Sequence, residues 1–303
     1  MINKILLWVV AIFLIVFTTM VIYENIPGEA VQLNSKIGDT PSVNLSSKTP
    51  MFLENMRFDH NNISYSIRNN CPDTRISFMK KAFETINSEV NEISFYETGK
   101  DADITISCLR EYIEIDNNFF TAGEGGPVEI LRNGKFNLIS KGMIYLYRNS
   151  VCENPSVELH ELLHVFGFAH SVDPKNIMYN ISSCSQKLSA EIIDTLKNLY
   201  SIPLLPDAKF ENLSVVTKGK FFDFNVTIIN DGLDDIENTN LTLFSDGVKI
   251  KTIDIGNLEM GFAKTLYLTN MKSPNEPNTI DFYIDYENTI EELDENNNHA
   301  KAS

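Results

Sequence analysis

The sequence is poor in basic side chains. Its 25 lysines and arginines stand against 41 aspartates and glutamates, which gives a formal net charge of −16. A nucleic-acid-binding protein needs a basic surface to neutralise phosphates, and anionic lipid headgroups repel an acidic one. The composition therefore argues against nucleic acid as a partner, and we interpret the acidity as a source of solubility.

Long apolar runs are scarce as well. One stretch, Ile5 to Ile22, is interrupted only by two threonines, and its eighteen residues would span about 27 Å as a helix. Lys4 precedes it and acidic residues follow it, so the rest of the chain is expected outside the membrane. We predict a signal anchor over 1–23, which makes the protein a single-pass membrane protein. Cleavage of a signal peptide, giving a secreted protein, is the alternative, although such peptides have shorter apolar regions of about 7–15 residues.

Only four cysteines are present, and none has C-x-x-C spacing: Cys71, Cys108, Cys152 and Cys184. In an exported chain four cysteines suggest two disulfides, with three possible pairings. Zinc ligation is the alternative, and the missing C-x-x-C spacing disfavours it.

Histidine is also rare, but three of the 5 histidines fall in one stretch, HELLHVFGFAH, which reads H-E-x-x-H-x-x-G-x-x-H. On a helix, residues four apart share a face, so His160 and His164 present two imidazoles together. Gly167 tolerates the left-handed backbone that ends a helix and would return His170 as a third ligand. Three imidazoles with a fourth position open are typical of catalytic zinc. Glu161 can reach a water molecule at such a metal without becoming a ligand.

The longer run HELLHVFGFAHSVDPKNIMY, residues 160–179, resembles the metzincin clan of zinc endopeptidases and, within it, the matrixin-like branch (peptidase family M10 type). Residues 102–106, ADITI, resemble the strand that matrixins place before their active site. The resemblance covers roughly residues 61–202. It implies an α+β catalytic domain, with a mixed twisted sheet plus three helices, which we place at 58–205.

The resemblance also implies roles for single residues. His160, His164 and His170 would hold one catalytic Zn²⁺, and Glu161 would act as general base on a peptide or protein substrate. Met178 would lie beneath the metal as a structural floor in a Met-turn. The substrate would lie along an edge strand, which we place near residues 128–139. 

The disulfide pairing follows from the same resemblance. Parallel neighbouring strands, as in matrixins, would bring Cys71 to Cys108, which leaves Cys152 for Cys184.

Periodicity supplies the elements of this domain. Apolar residues every three or four positions predict helices from Pro72 to Val90 and from Leu188 to Tyr200. Asn154 and Pro155 predict the start of the zinc helix. We interpret Gly123–Gly126 as a turn. Short strands are predicted at 63–67, 93–96, 104–107, 128–131 and 143–147.

Residues 24–57 mix prolines and glycines with Ser, Thr and Asn and have no sustained period, which is typical of a stalk or linker. A propeptide is the alternative, but the stretch has no cysteine-switch sequence of the matrixin kind.

Beyond Pro203 and Pro206 the pattern changes to short alternating strands, which predict an all-β immunoglobulin-like sandwich over 206–303. Residues 226–232, 245–247 and 285–298 resemble the CARDB type of domain. That resemblance implies a prokaryotic surface module, acting as a spacer or binding a surface or cell-wall ligand. Its acidic cluster offers oxygen ligands to Ca²⁺, but a solvated turn is the interpretation we favour: Asp285, Glu287, Glu291, Glu292, Asp294 and Glu295.

Together these features predict a membrane-anchored extracellular zinc endopeptidase. The alternative is a surface adhesion protein whose zinc domain only binds, and an intact Glu161 disfavours it.

Overall fold

The computed structural model describes residues 49–109, 114–116, 119–147 and 152–303. All of them lie in one compact unit of the chain, Leu45–Ser303. The predicted anchor at 1–23 and most of the predicted linker lie outside the described residues. Within the described part, no helix is long and apolar enough to cross a bilayer.

The first domain is built on a mixed sheet with three helices, as predicted. The strands follow the order β1-β8-β4-β2-β3, and β7 pairs antiparallel with β8, whereas the other pairs are parallel. A separate two-stranded ribbon joins β5 to β6. The strands are β1 (Met56–Phe58), β2 (Asn62–Ile67), β3 (Ser94–Glu97), β4 (Ile104–Leu109), β5 (Glu114–Asp116), β6 (Phe119–Phe120), β7 (Gly123–Asn133) and β8 (Phe136–Tyr147). The helices are α1 (Asp73–Glu89), α2 (Ser156–Val165) and α3 (Ala190–Tyr200).

The helices form where the apolar period is closest to 3.6. In α1 the buried Met79, Phe83 and Ile86 recur along one face, as expected for an amphipathic helix packed on a sheet. Ser189 caps α3, since its side chain accepts a hydrogen bond from the Ile192 N–H. All ten residues of α2 are buried, so this helix lies inside the domain.

Two sequence interpretations need correction. Gly123–Gly126 is not a turn but the first part of β7, because it pairs with β8 along its whole length. The linker prediction of 24–57 extends too far, since residues 49–57 are part of the domain. The Ala169 N–H donates to the Pro50 carbonyl at 2.7 Å, the Phe52 N–H donates to the Gly167 carbonyl at 2.7 Å, and β1 joins the sheet.

The second domain is the predicted all-β sandwich. One sheet has the order β13-β10-β9 and the other β12-β11-β14-β15, and all pairs are antiparallel. Between the sheets lie alternate residues of β10, β11 and β14, among them Phe224, Leu243 and Phe282. The strands are β9 (Ala208–Lys218), β10 (Phe221–Asn230), β11 (Ile236–Ser245), β12 (Val248–Leu258), β13 (Ala263–Lys272), β14 (Ile280–Ile284) and β15 (His299–Ala302).

The two domains share a small apolar cluster at the β7–β8 hairpin. Phe136 and Leu138 of the first domain pack with Leu233 of the second, and all three are at most 4% exposed. Ile202, Met260 and Leu293 pack around them. The second domain is therefore docked on the first rather than held away from it.

Candidate metal centre

The helix α2 carries two of the three predicted ligands. It begins after Pro155, whose missing N–H costs nothing at a helix start, and ends at Val165. Gly167 follows with a φ of +91°, a conformation that glycine adopts freely. Met56 also lies behind it, so an added Cβ would stand 2.7 Å from the Met56 sulfur. The chain therefore turns back as expected and brings His170 beside the helix.

The three imidazoles converge through their Nε2 atoms. The Nε2 atom of His164 lies 3.0 Å from that of His160 and 3.3 Å from that of His170. The Nδ1 atoms of His160 and His164 each donate at 2.7 Å to a backbone carbonyl, of Ile177 and Phe168 respectively. Because a carbonyl only accepts, the Nε2 atoms of these two histidines carry lone pairs that point into the cluster.

This arrangement fits a zinc ion. Nitrogen atoms bound to zinc at 2.0–2.1 Å with tetrahedral angles lie about 3.3–3.4 Å apart, close to the observed separations. Burial lowers the pKa of His160 to about 4 and that of His164 to about 3, so both are neutral, as metal ligands must be. Burial also lowers the pKa of His170. Without a cation, the lone pairs of His160 and His164 at this spacing would repel each other.

Glu161 is buried next to the histidines and faces the edge strand β7. The Gly125 N–H donates a hydrogen bond to its carboxylate. Burial, followed by the nearby charge of Glu124, raises the pKa of Glu161 to about 8. A divalent cation bound to the three imidazoles would lower this pKa by favouring the charged carboxylate.

Gly123 and Gly125 let β7 pass directly over Glu161. A Cβ on Gly123 would lie 2.7 Å from the Glu161 Cγ atom, and one on Gly125 would lie 2.2 Å from the Glu161 carbonyl oxygen. Sequence reasoning missed both residues. The available signal was the G-x-G spacing, since glycines within a strand often mark the close approach of another backbone.

The predicted Met-turn contacts the first histidine through its backbone. Met178 is fully buried, and its N–H donates to the Asn176 Oδ1 atom at 2.9 Å. The preceding residue, Ile177, supplies the carbonyl that orients His160. The turn therefore orients the first imidazole through its backbone, and Met178 is part of the buried core of the domain.

Two disulfides brace the domain, and they are the pairs that the resemblance implies. Cys71 is bonded to Cys108, and Cys152 is bonded to Cys184. The second bond joins the chain just before α2 to the segment after the Met-turn. The Asn154 side chain supports the same junction by donating to the Cys184 carbonyl at 2.8 Å.

A buried ion pair was not predicted from the sequence. Glu158, two residues before His160, is fully buried and accepts a hydrogen bond of 2.5 Å from Arg75 on α1. Arg75 also donates to the Tyr147 carbonyl at 2.7 Å. The pair thus ties the metal helix to α1 and to the end of β8.

The acidic cluster of the second domain is arranged around its own loop. Asp285 accepts hydrogen bonds from Thr289 and Ile290, and Glu292 accepts one from the Asn298 side chain. Within the described ranges, the three histidines are the one group of three or more His, Cys, Asp or Glu residues whose ligand atoms are close enough to share a metal ion.

Among zinc sites, a histidine pair one helical turn apart, with a third histidine beyond a glycine turn, defines the metzincin class. Residues 57–201 match the sequence profile described as Matrixin, and residues 205–302 match the profile described as CARDB. The chain thus carries a matrixin domain followed by a CARDB domain, in the order that the sequence predicted.

Several solved structures are similar to about a third of the chain. A crystal structure of the CARDB domain of a Pyrococcus furiosus protein, in complex with di-metal ions, has 26% identity and a TM-score of 0.28; the match covers 32% of this chain and 84% of that one. A domain of a putative cell surface protein from Methanosarcina acetivorans has 24% identity and a TM-score of 0.27, with 32% and 89% covered. No curated protein matches the chain.

Proposed function

We propose that the protein is a zinc endopeptidase that hydrolyses peptide bonds with Glu161 as general base. The observation that carries this proposal is the convergence of three Nε2 atoms beside a buried glutamate, directly under the edge strand β7. The matrixin profile over the same residues supports it.

The residues of the site have separate roles in this reaction. His160, His164 and His170 would hold zinc, which when bound lowers the pKa of a water molecule to about 7 and polarises a carbonyl. Glu161 accepts a proton from the attacking water, whose oxygen bonds to the carbonyl carbon. Glu161 then delivers that proton to the nitrogen of the breaking C–N bond, so the products are a carboxylic acid and an amine. Among the described strands β7 pairs only with β8, so an extended substrate can form a further strand on its other edge.

The test compares the full chain with its Glu161→Gln variant for zinc content and for cleavage of an unfolded protein. Equal zinc content, with cleavage reduced by about 10²–10⁴-fold in the variant, would support the base. Equal zinc content with no cleavage by either protein would favour the binding-only alternative. Absence of zinc from the wild type would contradict the proposal at its first step.

We also propose that residues 1–23 anchor the enzyme in the cell membrane with both domains outside. The apolar run at Ile5–Ile22 and the two disulfides, which form in oxidising compartments, support this location. Fractionation followed by N-terminal sequencing tests it. A soluble protein that begins beyond residue 23 would instead show cleavage and secretion. A surface or cell-wall ligand of the CARDB domain remains part of the same proposal.

A further inference from the structure

The β7–β8 hairpin has one end at the metal centre and the other at the CARDB domain. Near its start, β7 passes over Glu161 at Gly123 and Gly125. At its end, Asn133 is 1% exposed and donates from Nδ2 to the Gly232 carbonyl at 2.6 Å. From Gly125 to Leu131 is six strand positions, or about 20 Å. One strand therefore joins the candidate active site to the other domain.

The contact at the hairpin tip is tight. Gly134 has a φ of +54°, and a Cβ there would lie 2.6 Å from the Asp231 Cγ atom. On the CARDB side, a Cβ on Gly261 would lie 3.2 Å from a methyl carbon of Leu131. Backbone hydrogen bonds from Leu233 to Leu205 and from Leu293 to Pro206 hold the CARDB loops against the interdomain linker. The hairpin tip therefore touches the second domain at Leu131, Asn133 and Gly134, although Leu131 and Gly134 themselves stay exposed.

The two faces of the hairpin have different partners. Ile130 and its partner Ile139 pack in the core of the matrixin domain, whereas Leu138 and Phe136 belong to the interdomain cluster. In the described part of the chain β7 pairs only with β8, so its other edge is open. A strand with one open edge depends on its remaining contacts for rigidity. Near the tip the CARDB domain contacts β7 at Leu131 and Asn133 and covers Phe136 and Leu138 of its partner strand β8.

We propose that the CARDB domain is a working part of the substrate cleft: by holding the tip of the β7–β8 hairpin, it positions the edge strand on which the substrate lies. This inference rests on the proposed function. Leu233 is the main positioning residue on the CARDB side, because it is 4% exposed and packs directly on Phe136 and Leu138.

The inference makes substrate length the decisive variable. A short peptide contacts β7 only near Gly125, where α2 supports the strand from below. A long peptide pairs with β7 as far as Leu131, where the CARDB domain supports it. Loss of docking should therefore raise the KM of long substrates and leave the cleavage of short ones nearly unchanged.

The experiment uses the full chain with Leu233→Asp, which places a charge in the interdomain cluster. Val248→Asp is the matched control, since Val248 is 54% exposed at the start of β12 in the same domain. Two peptides with the same cut bond are compared, of about six and about fourteen residues. Zinc content, kcat and KM are measured, together with hydrogen exchange of the amides of residues 129–138.

We expect Leu233→Asp to retain zinc, to speed amide exchange at the hairpin tip, and to raise the KM of the long peptide about tenfold or more. Its kcat and its constants for the short peptide should stay within about twofold of the wild type, and Val248→Asp should match the wild type throughout. The inference would be overturned if the kinetic constants for the long peptide stayed unchanged or if amide exchange stayed unchanged. An equal loss of kcat/KM on both peptides would also overturn it.

Wild-type cleavage separates the two proposals. If the wild type cleaves neither peptide, the proposed function fails and takes the inference with it. If it cleaves both and length has no effect in the variant, only the inference fails. Should Leu233→Asp not fold, Met260→Asp replaces it, because Met260 lies at the margin of the same cluster and is only partly buried.

Discussion

At Gly125, the lack of a methyl group determines how closely β7 can approach the metal helix. A Cβ at this position would stand 2.2 Å from the Glu161 carbonyl oxygen, and both partners are backbone atoms that side-chain rotation cannot move apart. The substitution Gly125→Ala should therefore displace the edge strand. We expect kcat/KM to fall more than tenfold while zinc content is unchanged.

Gly126 is the matched control for this prediction. No atom lies within 4 Å of a Cβ built on it, and it is the next residue of the same strand. The variant Gly126→Ala should keep wild-type kcat/KM. Equal activities of the two alanine variants would show that β7 is not sterically limited by α2.

The buried pair of Arg75 and Glu158 gives a prediction about stability. Arg75→Met leaves the fully buried Glu158 carboxylate without its charged partner, and such losses cost about 3–5 kcal/mol. Urea denaturation should show this fall in the free energy of unfolding. The double variant that also carries Glu158→Leu should recover much of the lost stability. Lys80→Met is the control, because Lys80 and Glu97 form an exposed ion pair worth about 0–1 kcal/mol. If Lys80→Met lowered the free energy of unfolding as much as Arg75→Met does, burial of the ion pair would not explain the cost.

Residue spacing was sufficient to predict that the three imidazoles come together, but not which residues surround them. His160 and His164 lie one helical turn apart, and one glycine turn connects His164 to His170. Local geometry therefore brings the three imidazoles together. The contact of Gly125 with Glu161 and that of Arg75 with Glu158 depend on how strands and helices pack. These contacts join residues 36 and 83 positions apart, and no local pattern encodes such pairs.

Among the elements, the turn between β1 and β2 contains a histidine held between two carboxylates. His60 contacts Asp59 through Nδ1 and lies 3.1 Å from the Asp103 Oδ2 atom through Nε2. The hydrogen bond to Asp59 raises the pKa of His60. Burial opposes this shift, whereas the charge of Asp59 and the hydrogen bond and charge of Asp103 reinforce it.

The pH dependence follows from the sign of this shift. A raised pKa means that the folded state binds the proton more tightly, so the stabilisation is complete below about pH 6.5 and is lost as the pH rises through the folded-state value. The difference in unfolding free energy between wild type and His60→Asn should therefore shrink between pH 6 and pH 9. It should also be modest, since the His60 side chain is 37% exposed. A difference that grows with pH would contradict the raised pKa of His60.

Element prediction from the sequence succeeded where the apolar period was long. The helix predicted at 72–90 is α1 at Asp73–Glu89, and the last helix is α3. The edge strand was misplaced: the prediction of 128–139 spans the hairpin turn, whereas β7 ends at Asn133 and β8 begins at Phe136. Glycines at its start hid the strand, because they lack the side chains from which a period-two pattern is read. The short β1 was missed because three residues carry no period.

On the scale of the whole molecule, zinc should stabilise the folded chain. A ligand at 100 times its dissociation constant adds about 2.7 kcal/mol to the stability, provided the unfolded chain does not bind it. Removal of zinc with a chelator should therefore lower the thermal midpoint and abolish cleavage, and added zinc should restore both. The variant His170→Ala is the control, because with two imidazoles left its midpoint should respond much less to the chelator. Equal responses of variant and wild type would place the stabilising metal elsewhere.

The order of the domains and their classes could be predicted from the sequence, since each class has a pattern within its own residues. The docking of the two domains could not. Phe136 and Leu138 have the spacing of any strand, and only the folded pair shows that their outward face is covered by Leu233. A spacer and a docked domain have the same strand pattern and differ only in what their loops touch.

The shared apolar cluster can form only late in the synthesis of the chain. Ribosomes add roughly 5–20 residues per second, and domains generally fold as units from the N-terminus. Leu293 is made 155 residues after Leu138, so about 8–30 seconds pass between the two. During that interval a newly folded first domain has its hairpin tip exposed, with two large apolar side chains uncovered. The period of greatest aggregation risk for this chain therefore lies during its synthesis, and it ends when the last third of the chain arrives.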